Sequence, residues 1–280
     1  MRRLFTLLAA VLSLAITAQP ALAKPALNEL LDQLETTSEE NSGQYGMAAL
    51  DLATDDFVGV NLRQAFPMAS TMKVAVAAMY LNEVDAGRRT LQDPVGGSTA
   101  YAQMDRMMVY SDNGATDRLI ATLGGPGAIN AWLQRQGIVG MRVDRTIAQL
   151  LAARRNLWEK QDTSTPFAMM ALLRAIDKQD MLTTQSRSII LDMMRRCATG
   201  RNRIKGILPD GAIVEHKTGT LNGYTGDVGY MTTPEGRRIV VVFFARGGEN
   251  RAAVIATAAR AIYDAFRTSG ALITLPQTLE

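Results

Sequence analysis

Cysteine is almost absent from this chain of 280 residues: Cys197 stands alone, so no internal disulfide can form and a conventional apolar core must supply stability. Histidine is as scarce, with His216 the single example. One His and no Cys pair leave too few nitrogen and sulfur ligands for a zinc-type site, so neither metal nor cofactor is expected. Aromatic residues make up only 6% of the chain, and no basic block interleaved with aromatics occurs, which argues against a nucleic-acid surface. Arg154-Arg155 and Arg195-Arg196 read as solvated faces. No apolar run reaches the roughly 20 residues of a membrane-spanning helix, and no internal repeat is visible.

What is present starts with Met1-Arg2-Arg3, an apolar run from Leu4 to about Ala18, and Ala21-Leu22-Ala23. A basic start, a short apolar middle and a small-residue exit are the pattern of an export leader cut after Ala23. Arg2-Arg3-Leu4-Phe5 leaves ordinary and twin-arginine export both open. Removing residues 1–23 leaves 28 basic against 27 acidic residues, so a pI of 9.1 for the whole chain says little about anionic partners. The expectation is a periplasmic or secreted monomer with no stable membrane anchor, acting on a small molecule.

With 47% hydrophobic residues the core is large enough for a single folded unit. Leu27 to Leu34 reads as a short amphipathic helix. Met47 to Leu52 and Asp56 to Val60 read as strands about a Thr54-Asp55 turn. Helical spacing begins after Ser70, ends at Gly87, and dominates to about Arg196, most clearly in Ala128–Gln136, Pro166–Lys178 and Ser186–Met194. Strand character returns in Ala212–His216, Asp227–Met231 and Arg238–Phe244, before a closing helix from Arg251 to Phe266. Strands at both ends with helices between imply that the ends of the chain share one sheet.

Three short motifs follow in order: Ser70-Thr71-Met72-Lys73, Ser111-Asp112-Asn113 and Lys217-Thr218-Gly219. At ordinary residue usage Ser-x-x-Lys turns up about once in a chain of this length, but each tripeptide in only about one chain in twenty. Ser70 and Lys73 lie three apart at a helix start, on one face and in the positive field of the helix N-terminus. An alcohol needs a base to become a nucleophile. Lys73 qualifies only if burial and a second cation such as Lys217 lower its pKa. Taken alone the pair reads as an N-cap and a surface lysine; the other two motifs reverse that reading. Ser111-Asp112-Asn113 alone reads as a turn that caps the next helix.

With these motifs the chain resembles the class A β-lactamases and, more broadly, the penicillin-interacting serine enzymes. The resemblance extends through Thr116 to Ile120, Gly124 to Gly127, Val143-Asp144-Arg145, Asp162 to Pro166, Arg203 to Pro209 and His216 to Thr220. It implies an α/β fold of the α+β sandwich type: an antiparallel sheet flanked by N- and C-terminal helices, residues 24–66 and 199–280, beside an all-α lobe, residues 67–198. It further implies acylation at Ser70, a proton relay to the leaving nitrogen through Ser111, and an amide-carbonyl contact from Asn113. The N–H groups of Ser70 and Thr220 would form an oxyanion hole, worth about 3 kcal/mol per donor. Gly219 would let backbone approach backbone. Thr218, Thr220 and Arg203 would hold the substrate carboxylate.

Two departures from the family pattern stand out. Where class A enzymes carry a Glu that activates the deacylating water and an Asn that helps hold it, this chain has Ile147 and Leu151. A general base contributes about 10²- to 10⁴-fold, so a persistent acyl-enzyme is expected. Gln149 could orient a water without deprotonating it, and Glu159 is the nearest downstream carboxylate. Arg145 and Asp162, which clamp this loop in the family, are both present. The second departure is a shorter stretch from Lys73 to Ser111, which in the family supplies a lip with an aromatic gatekeeper. Tyr101 and Tyr110 are candidates for that post, though each is expected to pack in the core. The rival readings are a cell-wall D-alanyl peptidase or esterase and a non-hydrolytic penicillin-binding sensor.

Overall fold

The computed structural model describes residues 24–154 and 156–268, so the leader expected at residues 1–23 lies outside the described residues. Helix α1 (Lys24–Glu39) leads into the hairpin β1 (Gln44–Asp51) and β2 (Phe57–Val60), then β3 (Phe66–Pro67) and a 3₁₀ turn (Ala69–Met72) that runs into α2 (Lys73–Asp85). A two-residue pair, β4 (Pro94–Val95) and β5 (Ser98–Thr99), precedes α3 (Ala100–Val109), α4 (Asn113–Thr122), α5 (Pro126–Arg135) and α6 (Ile147–Ala152). Next come β6 (Thr163–Ser164), α7 (Pro166–Asp177) and α8 (Thr184–Arg195). Three long strands, β7 (Ile213–Leu221), β8 (Tyr224–Thr232) and β9 (Arg238–Arg246), and helix α9 (Arg251–Thr268) complete the chain.

The five-stranded antiparallel sheet has the order β2-β1-β9-β8-β7. Central strand β9 pairs with β1 from Gln44↔Arg246 to Asp51↔Ile239, which joins the two ends of the chain in one sheet. Its side chains alternate between two cores, as the strand period of two requires. Val240, Val242 and Phe244 join the core shared with α2, α3, α4, α5 and α7. Ile239, Val241, Phe243 and Ala245 join Leu30 and Leu34 of α1 and Val254, Ile255, Ala258 and Ile262 of α9 on the other face. Helices cover both faces, so the strand sequences are almost continuously apolar. At the centre of the helical side, every residue of α2 from Lys73 to Leu81 is buried.

The apolar strand read from Ala212 to His216 runs on as an edge strand through the Lys-Thr-Gly motif, expected to form such an edge, and ends at Leu221, because β8 pairs with all nine residues of β7. Two expectations change. The first helix extends to Glu39, since it docks on the sheet beside α9 rather than ending with its apolar stripe. Tyr101 and Tyr110 are 38% and 67% exposed rather than in the core. Met104, Met107 and Met108 already fill the buried face of α3, and Tyr110 falls just past its end.

Candidate active site

The 3₁₀ turn carrying Ser70 is held from both sides. Met68 N–H donates to the carbonyl of Asp162 at 2.9 Å, and Thr71 Oγ1 donates to the carbonyl of Met68 at 2.7 Å. Ala69 is left at φ +48°, a backbone conformation that non-glycine residues adopt only where their surroundings impose it. Against this turn lies β7 at Gly219. A Cβ there would stand 2.5 Å from the carbonyl oxygen of Met68 and 3.2 Å from Ala69 Cβ, so only glycine permits the approach. The motif glycine thus brings the Ser70 turn alongside the stretch Lys217 to Thr220.

Lys73 opens α2 and is fully buried. Its ammonium donates to the carbonyl of Ser111 at 2.7 Å, to Ser111 Oγ at 3.1 Å and to Asn113 Oδ1 at 2.9 Å. Lys217 Nζ donates to the same Ser111 Oγ at 3.0 Å and to the carbonyl of Thr218 at 3.1 Å. One hydroxyl therefore sits between two buried amines. Burial pushes the pKa of Lys73 down to about 7, and the nearby Lys217 charge adds to the fall. Burial lowers Lys217 to about 8. Ser111 occupies the left-handed region at φ +59°, which turns its carbonyl and its hydroxyl toward Lys73 together. Asp112 beside it caps α4 by accepting the N–H of Ala115 at 2.7 Å and pairs with Arg106. The hydroxyl of Ser70 makes no hydrogen bond among the described residues, and is free to approach a carbonyl.

Arg203 reaches the same strand from the segment before β7. It donates to the carbonyls of Gly219 and Gly226 at 3.1 and 2.8 Å and to Thr220 Oγ1 at 2.7 Å. The nine residues singled out in the sequence, Ser70, Lys73, Ser111, Asn113, Lys217, Thr218, Gly219, Thr220 and Arg203, thus fall in one contiguous region. A tenth, Thr199, carries no motif; its Oγ1 lies 2.5 Å from Thr218 Oγ1 and 3.4 Å from the buried Cys197 Sγ. Its one sequence signal is the adjoining Gly200, whose φ of +75° lets the chain double back beneath Thr218. Behind Lys217, His216 Nδ1 and Asp227 form a fully buried pair at 2.8 Å.

The loop beyond Arg145 presents a different chemistry. Ile147 is buried in the core, and Leu151 is exposed. Gln149, considered for water orientation, is committed elsewhere: its Oε1 accepts the N–H of Thr146 in a capping box at the exposed start of α6. Glu159 is committed too, to Arg145 Nη2 at 2.6 Å, and Arg145 Nε holds Asp162 at 2.5 Å. Asp117 accepts the N–H groups of Ile147 and Ala148 at 2.6 and 2.9 Å. Nearby carboxylates are therefore engaged with arginines or helix ends. Arg195 lies on a solvated face as expected, 59% exposed, and from there pairs with the buried Glu215. Among the described residues no cluster of three His, Cys, Asp or Glu could hold a metal ion, and no helix is long and apolar enough to cross a membrane.

A family model described as "Beta-lactamase enzyme family" matches residues 26–266. The β-lactamase CTX-M-8 of Citrobacter amalonaticus is 28% identical over 290 aligned positions, covering 95% of this chain and 98% of that one. A β-lactamase of Bacillus licheniformis is 29% identical over 242 positions, 80% of this chain and 78% of its own length. Among solved structures, the class A β-lactamase of the last common ancestor of Gram-negative bacteria is similar at a TM-score of 0.79 and 32% identity, over 85% of this chain and 99% of that chain. A β-lactamase from Chitinophaga pinensis matches at a TM-score of 0.79 and 25% identity, over 85% of this chain and 100% of its own. The family match across nearly the whole described chain, on the fold and the motif geometry above, makes this chain a member of the β-lactamase enzyme family and a class A β-lactamase-like serine hydrolase.

Proposed function

We propose that β-lactams acylate Ser70 and that the resulting acyl-enzyme persists. The observation that carries this reading is the pair of buried amines, Lys73 and Lys217, sharing the hydroxyl of Ser111 beside the Ser70 turn. In the neutral form Lys73 takes the proton of Ser70 as Oγ bonds to the lactam carbonyl carbon. The oxyanion lies against the N–H groups of Ser70 and Thr220. When the C–N bond breaks, Ser111 passes its proton to the leaving nitrogen, and the two amines restore it. Asn113 receives the substrate amide, and Arg203 with Thr218 and Thr220 receives its carboxylate. The site lies in a cleft between an α/β subdomain, residues 24–66 and 199–280, and an α subdomain, residues 67–198.

Hydrolysis of the ester needs a base for water. Ile147 offers none, and Glu159 is held by Arg145. Loss of such a base slows the step by about 10²- to 10⁴-fold, while acylation, which uses Lys73, is spared. The protein works after export and removal of residues 1–23, in the periplasm or outside the cell, as a monomer.

Incubation with a penicillin followed by intact-mass measurement tests this reading. The expected result is a stoichiometric adduct that remains for many minutes and is absent from Ser70→Ala. An adduct that clears at once means an efficient lactamase with another base. No adduct, with D-alanine released from peptides, means a cell-wall peptidase.

A further inference from the structure

Arg246, the last residue of β9, is buried at 6% exposure, and no carboxylate pairs with it among the described residues. Its Nη1 donates to the carbonyls of Ala65 and Leu157, both at 3.2 Å, and its Nε and Nη2 donate to Gln44 Oε1 at 3.1 and 2.9 Å. The guanidinium carbon also stands 4.8 Å from the centre of the Phe66 ring and 3.8 Å from that of Trp158. Only a flat, delocalised cation can face aromatic rings while its edge donates to carbonyls. Two separate segments meet on this one side chain: Ala65-Phe66, which leads into the Ser70 turn, and Leu157-Trp158, in the middle of the loop after α6.

That loop has few other ties. Its ends are pinned by Asp117 and by the Arg145–Asp162 clamp. Ala153 N–H closes α6 on the carbonyl of Gln149; from Arg154 to Trp158, the described residues make no hydrogen bond beyond the loop except the one that Leu157 accepts from Arg246. Leu157 then packs against the β7–β8 turn, its Cδ1 2.8 Å from where a Cβ on Gly223 would lie. With Leu150 it lines one pocket together with Ala69, the neighbour of Ser70, and Leu221, the neighbour of Thr220.

We propose that Arg246 is a positioning residue, which latches Leu157 and Trp158 to the segment carrying Ser70 and so fixes the loop wall of the site. Its functional arm rests on acylation at Ser70; its structural arm does not. Trp132 and Trp158 are the two tryptophans of the chain, so in a Trp132→Phe background Trp158 reports on the latch alone. Arg246→Met keeps the bulk and removes the fork and charge. The expected result is a red-shifted Trp158 emission, easier acrylamide quenching, and penicillin acylation slowed by up to about 10²-fold, the scale of a misplacement of about 1 Å. Arg246→Lys should stay slow, because an ammonium cannot stack and bridge as the fork does. Trp158→Ala should slow acylation similarly with little change in the melting midpoint, since Trp158 is 61% exposed; this variant decides the matter should Arg246→Met not fold. Unchanged quenching in Arg246→Met overturns the latch. Increased quenching with unchanged acylation overturns the positioning role. A parent protein that is not acylated overturns the proposed reaction, while the quenching still decides the latch.

Discussion

Ser111 Oγ accepts hydrogen bonds from both Lys73 and Lys217, while burial and the charge of Lys217 make Lys73 the amine that gives up its proton first. Lys73 titrates near 7, lowered by burial and by Lys217, and Lys217 near 8, lowered by burial. An amine is neutral above its pKa, so Lys73 becomes a competent base as pH rises through about 7, whereas Lys217 loses its charge as pH rises through about 8. Acylation that needs neutral Lys73 and charged Lys217 should therefore follow a bell with a narrow top between those values. Stopped-flow acylation across about pH 5 to 10 reads this directly, and a flat profile would exclude Lys73 as the base. These residues were legible in the sequence because each motif is contiguous. Their joint action was not, since Lys217 and Ser111 are 106 positions apart. Thr199 and Arg246 belong to no motif; Thr199 meets Thr218, 19 positions on, and Arg246 meets Gln44, Ala65 and Leu157 from distant parts of the chain.

At the scale of elements, the proposed persistence of the acyl group turns on α6 and the loop that follows. Asp117 and the Thr146–Gln149 capping box start α6 at Ile147, so a carboxylate at position 147 would sit in the first turn of a helix, where negative charge is favoured. The neighbouring Asp117 would raise its pKa and make it a better base. Ile147→Glu should shorten the lifetime of the penicillin adduct by about 10²-fold or more and lower the melting midpoint, because Ile147 is buried in the core. Time-resolved intact mass checks it; an unchanged lifetime would mean that the missing base is not what holds the adduct. Elements with clear periodicity, such as α7 and β9, were readable in advance. The pairing partners of Lys217-Thr218-Gly219 in β7 were not, because the ladder exists only once β8 folds beside them.

Taken whole, the molecule is one sheet between two cores. Strands β1 and β9 put alternate residues into each: Ala48, Leu50, Val240 and Val242 face the helical side, and Met47, Ala49, Val241 and Phe243 face α1 and α9. Neither core survives loss of the other, because both are built on the same strands. Thermal unfolding should accordingly be a single transition, with far-ultraviolet and near-ultraviolet circular dichroism melting together. Two separated transitions would mean that the helical side holds its structure without the sheet.

The amino-acid sequence alone determined the chemistry and the class of fold. Its motif residues have defined reactive groups, and its apolar periods are local properties of consecutive positions. Tertiary structure decided what those groups can do. Desolvation of two amines, the glycine contact between β7 and the Ser70 turn, the commitment of Gln149 and Glu159 to other partners and the latch at Arg246 all arise from contacts between residues far apart in the chain, which no local pattern encodes.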